Sequence, residues 1–255
     1  MPLQIDQFMC RSDNFGVLVH DETSGETALI DAPQEQPILA AVERTGWTPT
    51  MILTTHHHGD HVEANLALKQ RFGLRIVGPE AEAAKIPGID DTVEDGSVIP
   101  FSGEEIRVIA TPGHTAGHVS YWFPKSKVAF TADTLFALGC GRLFEAKAPV
   151  MLQSLKKLAA LPPETTVYCG HEYTQANARF ALSVDPTNSA LRERAAKIDR
   201  LRLEGKPTLP TTIGEELATN PFLRWHDPAI RRNLGMETAS DEEVFAEIRK
   251  RKDVF

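Results

Sequence analysis

The chain has 255 residues, of which 42% are hydrophobic and 24% are charged, and its formal net charge is −8. These proportions are ordinary for a folded protein and exclude the disordered and collagen-like classes. A net negative charge repels a phosphate backbone, so we expect no nucleic-acid partner.

The composition also indicates a compartment. The apolar runs are shorter than the roughly 18 residues that a membrane span needs, so we expect no membrane partner. The N-terminal residues lack the basic and apolar regions of a secretory signal. Cys10, Cys140 and Cys169 form no C-x-x-C pair, and their odd number argues against a disulfide framework. We therefore predict a cytoplasmic protein with buried thiols, and we expect it to be a monomer.

The first two-thirds of the chain alternates short β-like runs with helical stretches. Apolar and β-branched residues predict strands at Val17–Val19, Ala28–Ile30, Met51–Thr54, Ile106–Ile109, Val119–Phe123, Val128–Phe130 and Thr166–Tyr168. After Asp60 the apolar spacing becomes that of a helix, which Gly73 would end. This mixture predicts layered sheets covered by helices.

From about Thr174 onward the apolar spacing is helical throughout. It predicts helices at Gln175–Val184, Ser189–Leu203 and Asp241–Lys252, with prolines between them. We therefore predict two domains, one of mixed sheets and helices over residues 1–173 and a small all-helical one over residues 174–255.

Four of the nine histidines, His56, His57, His58 and His61, lie within six positions. Such a cluster can be a tag or a solvated loop, but this one follows an apolar strand and precedes a helix. Side chains two positions apart in an extended segment point the same way, so His56 and His58 can bind one ion. Asp60 and His61 can then bind a second ion. His57 points away from His56 and His58, and we predict that it packs against the protein or supports a ligand. Imidazole and carboxylate donors suit zinc, iron or manganese.

Three further candidate ligands follow strands later in the chain. His114 comes after a Pro-Gly turn, and Asp133 and His171 each come at the end of a strand. A single histidine after a strand is more often structural, but three such residues beside the first cluster indicate a joint site. The predicted ligands are His56, His58, Asp60, His61, His114, Asp133 and His171.

This order of ligands, H-x-H-x-D-H and then H, D and H, resembles the metallo-β-lactamase superfamily. The resemblance implies an α/β (α+β) fold, an αββα sandwich with the site along one edge of its two sheets. It implies a division of the ligands into His56, His58 and His114 for one metal and Asp60, His61 and His171 for the other, with Asp133 bridging. Asp31 matches an acid of the superfamily that supports a metal ligand from outside the coordination sphere. The alternative is that Asp31 is only a turn residue at the end of a strand.

Two divalent ions held close together lower the pKa of a shared water to about 7 and polarise a carbonyl group. The pattern therefore predicts hydrolysis of an activated acyl or phosphoryl bond by a metal-bridging hydroxide, held by Asp133 and the other ligands. We expect zinc, with iron or manganese as alternatives. The G-x-S-x-G elbow of a serine nucleophile is absent, and so is the H-E-x-x-H pattern of zinc proteases.

Motifs around and beyond the ligands resemble the glyoxalase II family, the hydroxyacylglutathione hydrolases, nearly from end to end. They are Asp13–Gly16 (DNFG), Thr54–His61 (TTHHHGDH), Ala132–Phe136 (ADTLF), Gly139–Glu145 (GCGRLFE), Cys169–Thr174 (CGHEYT) and Asn220–Arg224 (NPFLR). The resemblance implies hydrolysis of S-(2-hydroxyacyl)glutathione, typically S-D-lactoylglutathione, to D-lactate and glutathione in methylglyoxal detoxification. The helical C-terminal domain is the more selective part of the resemblance, because most other branches lack it. The resemblance implies a metal-binding catalytic domain over residues 1–173 and a substrate-binding domain over residues 174–255.

The family's contacts to glutathione carry over to five positions, Arg142, Phe144, Tyr173, Arg249 and Lys252. Arg249 and Lys252 lie on one face of a helix, where they could meet the carboxylates of glutathione. The alternative is that this basic end only complements the dipole of a helix that begins with a capping box at Ser240 and Glu243. Phe144 stands where the family commonly has tyrosine, and Arg142 where lysine is also common.

Other activities of the same fold are the competing hypotheses. A glutathione persulfide dioxygenase, a mononuclear iron enzyme, is disfavoured by the full helical domain with its basic end. A β-lactamase would lack the bridging acid matched by Asp133. A ribonuclease would carry an RNA-binding arm, which this acidic chain does not show. A non-catalytic metal-binding module is the remaining alternative.

Overall fold

A computed structural model describes residues 3–255 of the chain. These residues form two structural units, and the chain passes from one unit to the other three times. Unit 1 contains the chain up to Ala110 and the segment Thr115–Thr131. Unit 2 contains Thr111–His114 and Ala132–Phe255. These units are defined by packing rather than by sequence pattern, and the predicted domain boundary after residue 173 stays a prediction.

The first sheet of unit 1 has six strands. In spatial order they are β1 (Gln4–Cys10), β2 (Asn14–His20), β3 (Thr27–Ile30), β4 (Met51–Leu53), β5 (Arg75–Pro79) and β6 (Asp91–Val93). β1 to β3 pair antiparallel, and β3 to β6 pair parallel. The central strands β3 and β4 are buried throughout, and therefore appear in the sequence as continuous apolar runs.

Helices connect the parallel strands of this sheet, because a parallel pair needs a crossover. They are α1 (Glu35–Thr45), α2 (Gly59–Val62) and α3 (Asn65–Phe72), and a 3-10 helix (Glu80–Lys85) follows β5. Ile38 of α1 and Leu68 of α3 pack in one core with Leu29 and Ile52 of the sheet. Gly73 has a left-handed backbone at the end of α3, which confirms the predicted helix stop.

A second, antiparallel set of strands belongs to unit 1 as far as Thr131. It comprises β7 (Val98–Phe101), β8 (Glu104–Ala110), β9 (Val119–Phe123) and β10 (Val128–Ala132). The ring of Phe123 packs edge-to-face against Phe101 and Phe130. The buried hydroxyl of Tyr121 donates to Thr54 O at 2.7 Å, just after β4. Burial raises the pKa of Tyr121, so the hydroxyl remains a donor. The contact ties β9 to the start of the histidine-rich segment.

Unit 2 is mainly helical. β11 (Leu135–Phe136) and β12 (Gly139–Cys140) form a hairpin, and β13 (Thr166–Cys169) pairs with β14 (Thr211–Thr212). The helices are α4 (Ala148–Ala159), α5 (Thr174–Val184), α6 (Ser189–Leu203), α7 (Ile213–Thr219), α8 (Pro228–Leu234) and α9 (Asp241–Asp253). α9 begins with the predicted capping box, in which Ser240 and Glu243 bond reciprocally.

The three cysteines are free and buried, as predicted. Burial raises the pKa of Cys140 to about 11 and the pKa values of Cys10 and Cys169 to about 12. These thiols are therefore protonated near neutral pH, which makes them poor nucleophiles. Over residues 3–255, no helix combines the length and the apolar character that crossing a bilayer requires.

Candidate metal centre

The histidine-rich segment of unit 1 leaves β4 and turns into α2. His58 precedes α2 with an extended backbone, and the helix starts at Gly59. The ring centroid of buried His56 lies 4.8 Å from that of His58 and 4.1 Å from that of His61. Asp60 Oδ2 lies 3.7 Å from His61 Nε2. The strand-to-helix turn therefore brings together the four ligands predicted in this segment.

Asp31 and Thr55 orient two of these imidazole rings. Asp31 Oδ2 accepts a hydrogen bond from His61 Nδ1 at 2.8 Å, and Asp31 Oδ1 accepts one from Thr55 N at 2.7 Å. The Thr55 hydroxyl donates to Asp31 Oδ2 at 2.8 Å and lies 3.0 Å from His56 Nδ1. With the protons on Nδ1, the lone pairs of His56 and His61 lie on Nε2, the atom that would bind a metal.

Replacing Asp31 with alanine is expected to weaken metal binding by about 10–100-fold, because His61 loses the acceptor that orients its ring. Competition with a chromophoric chelator measures the affinity. Asp21→Ala is the matched control, since Asp21 is also a buried acid in unit 1 but contacts the turn at Thr23 and Ser24. If the Asp31→Ala variant binds metal with wild-type affinity, Asp31 does not support the metal site.

His57 is held by a buried acid on the 3-10 helix. Glu82 Oε2 lies 2.7 Å from both His57 N and His57 Nδ1, and Glu82 Oε1 accepts from Gly117 N at 2.8 Å. A Cβ at Gly117 would lie 2.6 Å from Glu82 Cγ, so this close approach requires glycine. One carboxylate therefore joins the backbone between two predicted ligands to a separate loop and holds the ring of His57.

Asp60 is held by Asn14, at the start of β2. Asn14 Nδ2 donates to Asp60 Oδ2 at 3.0 Å and to Asp60 O at 3.1 Å. Asn14 is buried, so the bond is shielded from water. This contact gives the DNFG motif a physical role, that of orienting a predicted ligand.

Three predicted ligands lie in unit 2. Asp133 Oδ2 is 3.4 Å from His114 Nε2 and 3.3 Å from His171 Nε2, and all three residues are buried. Two nitrogen or oxygen donors on one tetrahedral zinc ion lie about 3.3–3.6 Å apart, given bond lengths of about 2.0–2.2 Å. The spacing and the mixed nitrogen and oxygen chemistry of these donors therefore fit a divalent metal ion.

Backbone contacts within unit 2 hold the segments that carry these ligands. Gly170 N donates to Ala132 O at 3.0 Å, which places the residues before His171 and Asp133 side by side. Ala132 has a φ of +37°, a left-handed backbone that alanine rarely adopts. The chain is thus turned sharply where Asp133 leaves β10.

The ring of His114 is oriented by a backbone carbonyl. His114 Nδ1 donates to Arg142 O at 3.0 Å, which leaves the lone pair on Nε2. The preceding Gly113 lies against α4, where a Cβ would come within 2.7 Å of Met151 Cε. The Pro-Gly turn predicted to present His114 therefore also packs it on α4.

Two aromatic residues predicted to bind substrate lie against the imidazole rings of predicted metal ligands. Phe144 packs edge-to-face on His114 with 5.1 Å between centroids, and Tyr173 stacks on His171 at 4.7 Å. Phe144 is 63% exposed and Tyr173 39% exposed, so both rings remain accessible beside these imidazoles. Arg142, on the same loop as Phe144, is exposed as well.

The two basic residues predicted on α9 have different environments. Arg249 is buried, donates from Nη1 to Cys140 O at 2.8 Å and pairs from Nη2 with Asp253 at 2.9 Å. Lys252 is half-buried, with Nζ over the rings of Phe180 and Phe255. Burial, followed by the charges of Arg249 and Arg142, lowers the pKa of Lys252. Arg249 is thus engaged by the protein itself, and Lys252 is the more accessible cation.

Two protein families match nearly the whole chain, from residue 14 to residue 255. Residues 14–171 match the family described as Metallo-beta-lactamase superfamily, and residues 172–255 match Hydroxyacylglutathione hydrolase C-terminus. The hydroxyacylglutathione hydrolase of Mesorhizobium japonicum is 79% identical to this chain, and that of a Chelativorans species is 71% identical. Each comparison covers 100% of this chain and 100% of the relative.

Two solved structures show the same fold. The crystal structure of ETHE1 from Myxococcus xanthus superposes with a TM-score of 0.70 at 27% identity, over 97% of this chain and 90% of that one. The structure of TTHA1623 in a di-iron-bound form has a TM-score of 0.63 at 27% identity, over 86% of this chain and 100% of that one.

These matches confirm the predicted fold class, a metallo-β-lactamase fold with mixed α/β sheets and a helical C-terminal region. They also confirm the predicted reaction class, because the relatives with high identity over the full length are thioester hydrolases. The chain belongs to the metallo-β-lactamase superfamily and, within it, to the hydroxyacylglutathione hydrolase family.

Proposed function

We propose that the chain hydrolyses S-(2-hydroxyacyl)glutathione, typically S-D-lactoylglutathione, to D-lactate and glutathione, the second step of methylglyoxal detoxification. The observation that carries the proposal is the 79% identity to a hydroxyacylglutathione hydrolase over the full length of both chains. A thioester suits this chemistry, because its thiolate leaves without strong protonation. We further propose a monomer in the cytoplasm, where a reducing environment suits three free cysteines.

The family and the His/Asp donor sets indicate a dinuclear metal site. We propose a division of its ligands into His56, His58 and His114 for one ion and Asp60, His61 and His171 for the other, with Asp133 binding both. When bound, the two ions supply a shared water of pKa about 7 and polarise the thioester carbonyl. We propose zinc, with iron or manganese as alternatives, and the di-iron form of TTHA1623 supports testing iron.

The residues of the chain orient the ligands and bind glutathione. Asp31, Thr55 and the carbonyl of Arg142 hold three imidazoles with their Nε2 atoms available to the ions. We propose that the residues that bind glutathione are Arg142, Phe144, Tyr173, Arg249 and Lys252. Arg142 and Lys252 are the accessible charges for its carboxylates. Residues 174–255 would accordingly form the substrate-binding domain.

Selectivity between two thioesters tests the proposal. One is S-D-lactoylglutathione and the other is the D-lactoyl thioester of N-acetylcysteamine, which lacks both carboxylates. We expect kcat/KM to be at least about 100-fold higher for the first, because two charge-assisted contacts of about 1.5–3 kcal/mol each are lost in the second. Equal values would contradict glutathione recognition, and absence of hydrolysis with both substrates would contradict the proposed reaction.

The Phe144→Tyr substitution is expected to lower KM for S-D-lactoylglutathione by about 2–10-fold. The exposed ring gains a hydroxyl that can bond to glutathione, and one such bond contributes about 0.5–1.5 kcal/mol. Steady-state kinetics measure the change. Phe72→Tyr, at the end of α3, is the control and should leave KM unchanged. A KM that stays the same or rises in Phe144→Tyr would show that this ring does not face glutathione.

A further inference from the structure

A short hairpin links Asp133 to Arg142 within unit 2. It consists of β11, β12 and the turn between them, residues 135–140. Leu138 in the turn has a φ of +58°, a left-handed conformation that is costly for a residue other than glycine. The turn therefore depends on contacts from elsewhere to hold its shape.

Four side chains from the helical region bond to the backbone of five consecutive hairpin residues. The contacts are Phe136 O with Asn220 Nδ2 at 3.2 Å, Ala137 O with Asn177 Nδ2 at 3.0 Å, Leu138 N with Glu216 Oε2 at 2.8 Å, Gly139 O with Asn220 Nδ2 at 3.0 Å and Cys140 O with Arg249 Nη1 at 2.8 Å. We call this set, Asn177, Glu216, Asn220 and Arg249, the hairpin clamp. All four residues are buried, so water does not compete for these bonds.

The hairpin clamp is itself rigidly held. Glu216 forms a buried ion pair with Arg194 of α6. Asn220 Oδ1 accepts from Phe222 N at 2.9 Å, which fixes the direction of its amide. Asn177 is buried on α5. The donors and acceptors presented to the hairpin are therefore set in place by the helices.

The end of the hairpin leads directly into the predicted site. Gly141 N donates to Thr134 O at 3.2 Å, and a Cβ at Gly141 would lie 1.9 Å from Asp133 O. The next residue, Arg142, accepts from His114 Nδ1 through its carbonyl and exposes its side chain. A displaced hairpin would move the Arg142 side chain and the carbonyl that orients His114 together.

We propose that the hairpin clamp positions Arg142 for substrate binding and its carbonyl for orienting His114. The helical region thus shapes the substrate loop through its buried residues, in addition to any contact it makes with substrate. Asn177, Glu216 and Asn220 are positioning residues that reach the reaction through the hairpin. The part played by Arg142 rests on the proposed function, whereas the coupling of the clamp to the hairpin does not.

The Asn177→Ala substitution tests the proposal with the least disturbance, because it removes the hydrogen bond from Asn177 Nδ2 to Ala137 O and leaves the other three clamp residues in place. The matched control is Asn233→Ala, since Asn233 Nδ2 donates to Ser183 O and Val184 O in the same unit, away from the hairpin. We expect KM for S-D-lactoylglutathione to rise roughly tenfold in Asn177→Ala, with a smaller change in kcat. Amide hydrogen exchange in peptides covering residues 135–142 should also accelerate, and the control should change neither quantity.

Gly139→Ala probes the same contact from the hairpin side. A Cβ at position 139 would lie 2.5 Å from Asn177 Nδ2, so the substitution must displace that amide. Gly139→Ala alone should raise KM and hydrogen exchange as Asn177→Ala does. In the double variant the new methyl group has room, so its effect should add little to that of Asn177→Ala. Independent roles would instead multiply the two fold-changes.

Three results would overturn the proposal: an unchanged KM in Asn177→Ala, unchanged hydrogen exchange in the hairpin, or multiplicative effects in the double variant. If Asn177→Ala does not fold, an unchanged KM or unchanged hydrogen exchange in Gly139→Ala would overturn the proposal. If the wild-type protein hydrolyses no glutathione thioester, the proposed function fails, but hydrogen exchange still decides whether the clamp holds the hairpin.

Discussion

An Asp133→Ala variant is expected to hydrolyse S-D-lactoylglutathione at least about 10³-fold more slowly than the wild type and to retain less metal. Asp133 Oδ2 lies within 3.4 Å of both His114 Nε2 and His171 Nε2, and it is the residue proposed to bind both ions. Weakening that site removes several kcal/mol of charge stabilisation in the transition state, which corresponds to such a rate factor. Steady-state kinetics and elemental analysis of the purified protein measure both effects.

Asp185→Ala provides the matched control for Asp133→Ala. Asp185 is a buried acid in the same unit, but its partners are Arg224 and Asn188 rather than imidazoles. Its replacement should reduce stability while leaving the metal content per folded chain unchanged. An Asp133→Ala protein with two metals and full activity would show that Asp133 is not a bridging ligand.

Glu216→Ala is expected to lower the free energy of unfolding by about 3–5 kcal/mol. The change leaves the buried guanidinium of Arg194 without its anion and the Leu138 N–H without its acceptor. An unpaired buried charge is costly because the interior solvates it poorly. Urea unfolding followed by circular dichroism measures the difference.

Glu247→Ala is the control for this stability effect. Glu247 pairs with Arg251 one turn away on the surface of α9, and such pairs contribute about 0.3–0.5 kcal/mol. The double variant Arg194→Met, Glu216→Leu should lose less stability than the sum of its single changes, because it removes both buried charges. A loss below about 1 kcal/mol in Glu216→Ala would contradict a structural role for the pair.

The elements with strong local patterns were predictable from the sequence. The runs that became β2, β3, β4 and β10 are apolar over three or more positions, and all are observed. The helices α5, α6 and α9 begin and end within about two residues of their predicted bounds, which is ordinary scatter for helix ends.

Other elements carried no such pattern. α1 contains Pro37 in its first turn, where a missing N–H does no harm but the local pattern does not predict a helix. The edge strand β6 has only three residues, two of them exposed, so its apolar pattern is too short to detect. These elements form because they complete a sheet or cover a core, and a local window of sequence does not contain that information.

Some residues of the candidate site were likewise predictable from the sequence, and others were not. The H-x-H-x-D-H spacing and the strand ends indicated the ligands, and Asp31 was singled out as their support. Thr55, Glu82 and the carbonyl of Arg142 were not, because their roles depend on contacts with Asp31, His57 and His114, which are distant from them in the sequence. Glu82 looks like any other acid in a polar helix until its burial is known.

The hairpin clamp shows the same limit most clearly. Asn177, Glu216 and Asn220 are polar residues in or beside helices, and helical spacing alone does not distinguish them from surface residues. Their burial and their bonds to one hairpin are properties of the tertiary structure. Of these three residues, only Asn220 lies in a motif that the sequence analysis identified, NPFLR.

The most direct test of the central claim follows two reactions in parallel with the metal-loaded protein. One assay records the loss of thioester absorbance from S-D-lactoylglutathione, and the other records oxygen uptake with glutathione persulfide. We predict thioester hydrolysis to D-lactate and glutathione without oxygen uptake. Oxygen uptake without thioester loss would contradict this account and assign the chain to the dioxygenase chemistry of the same fold.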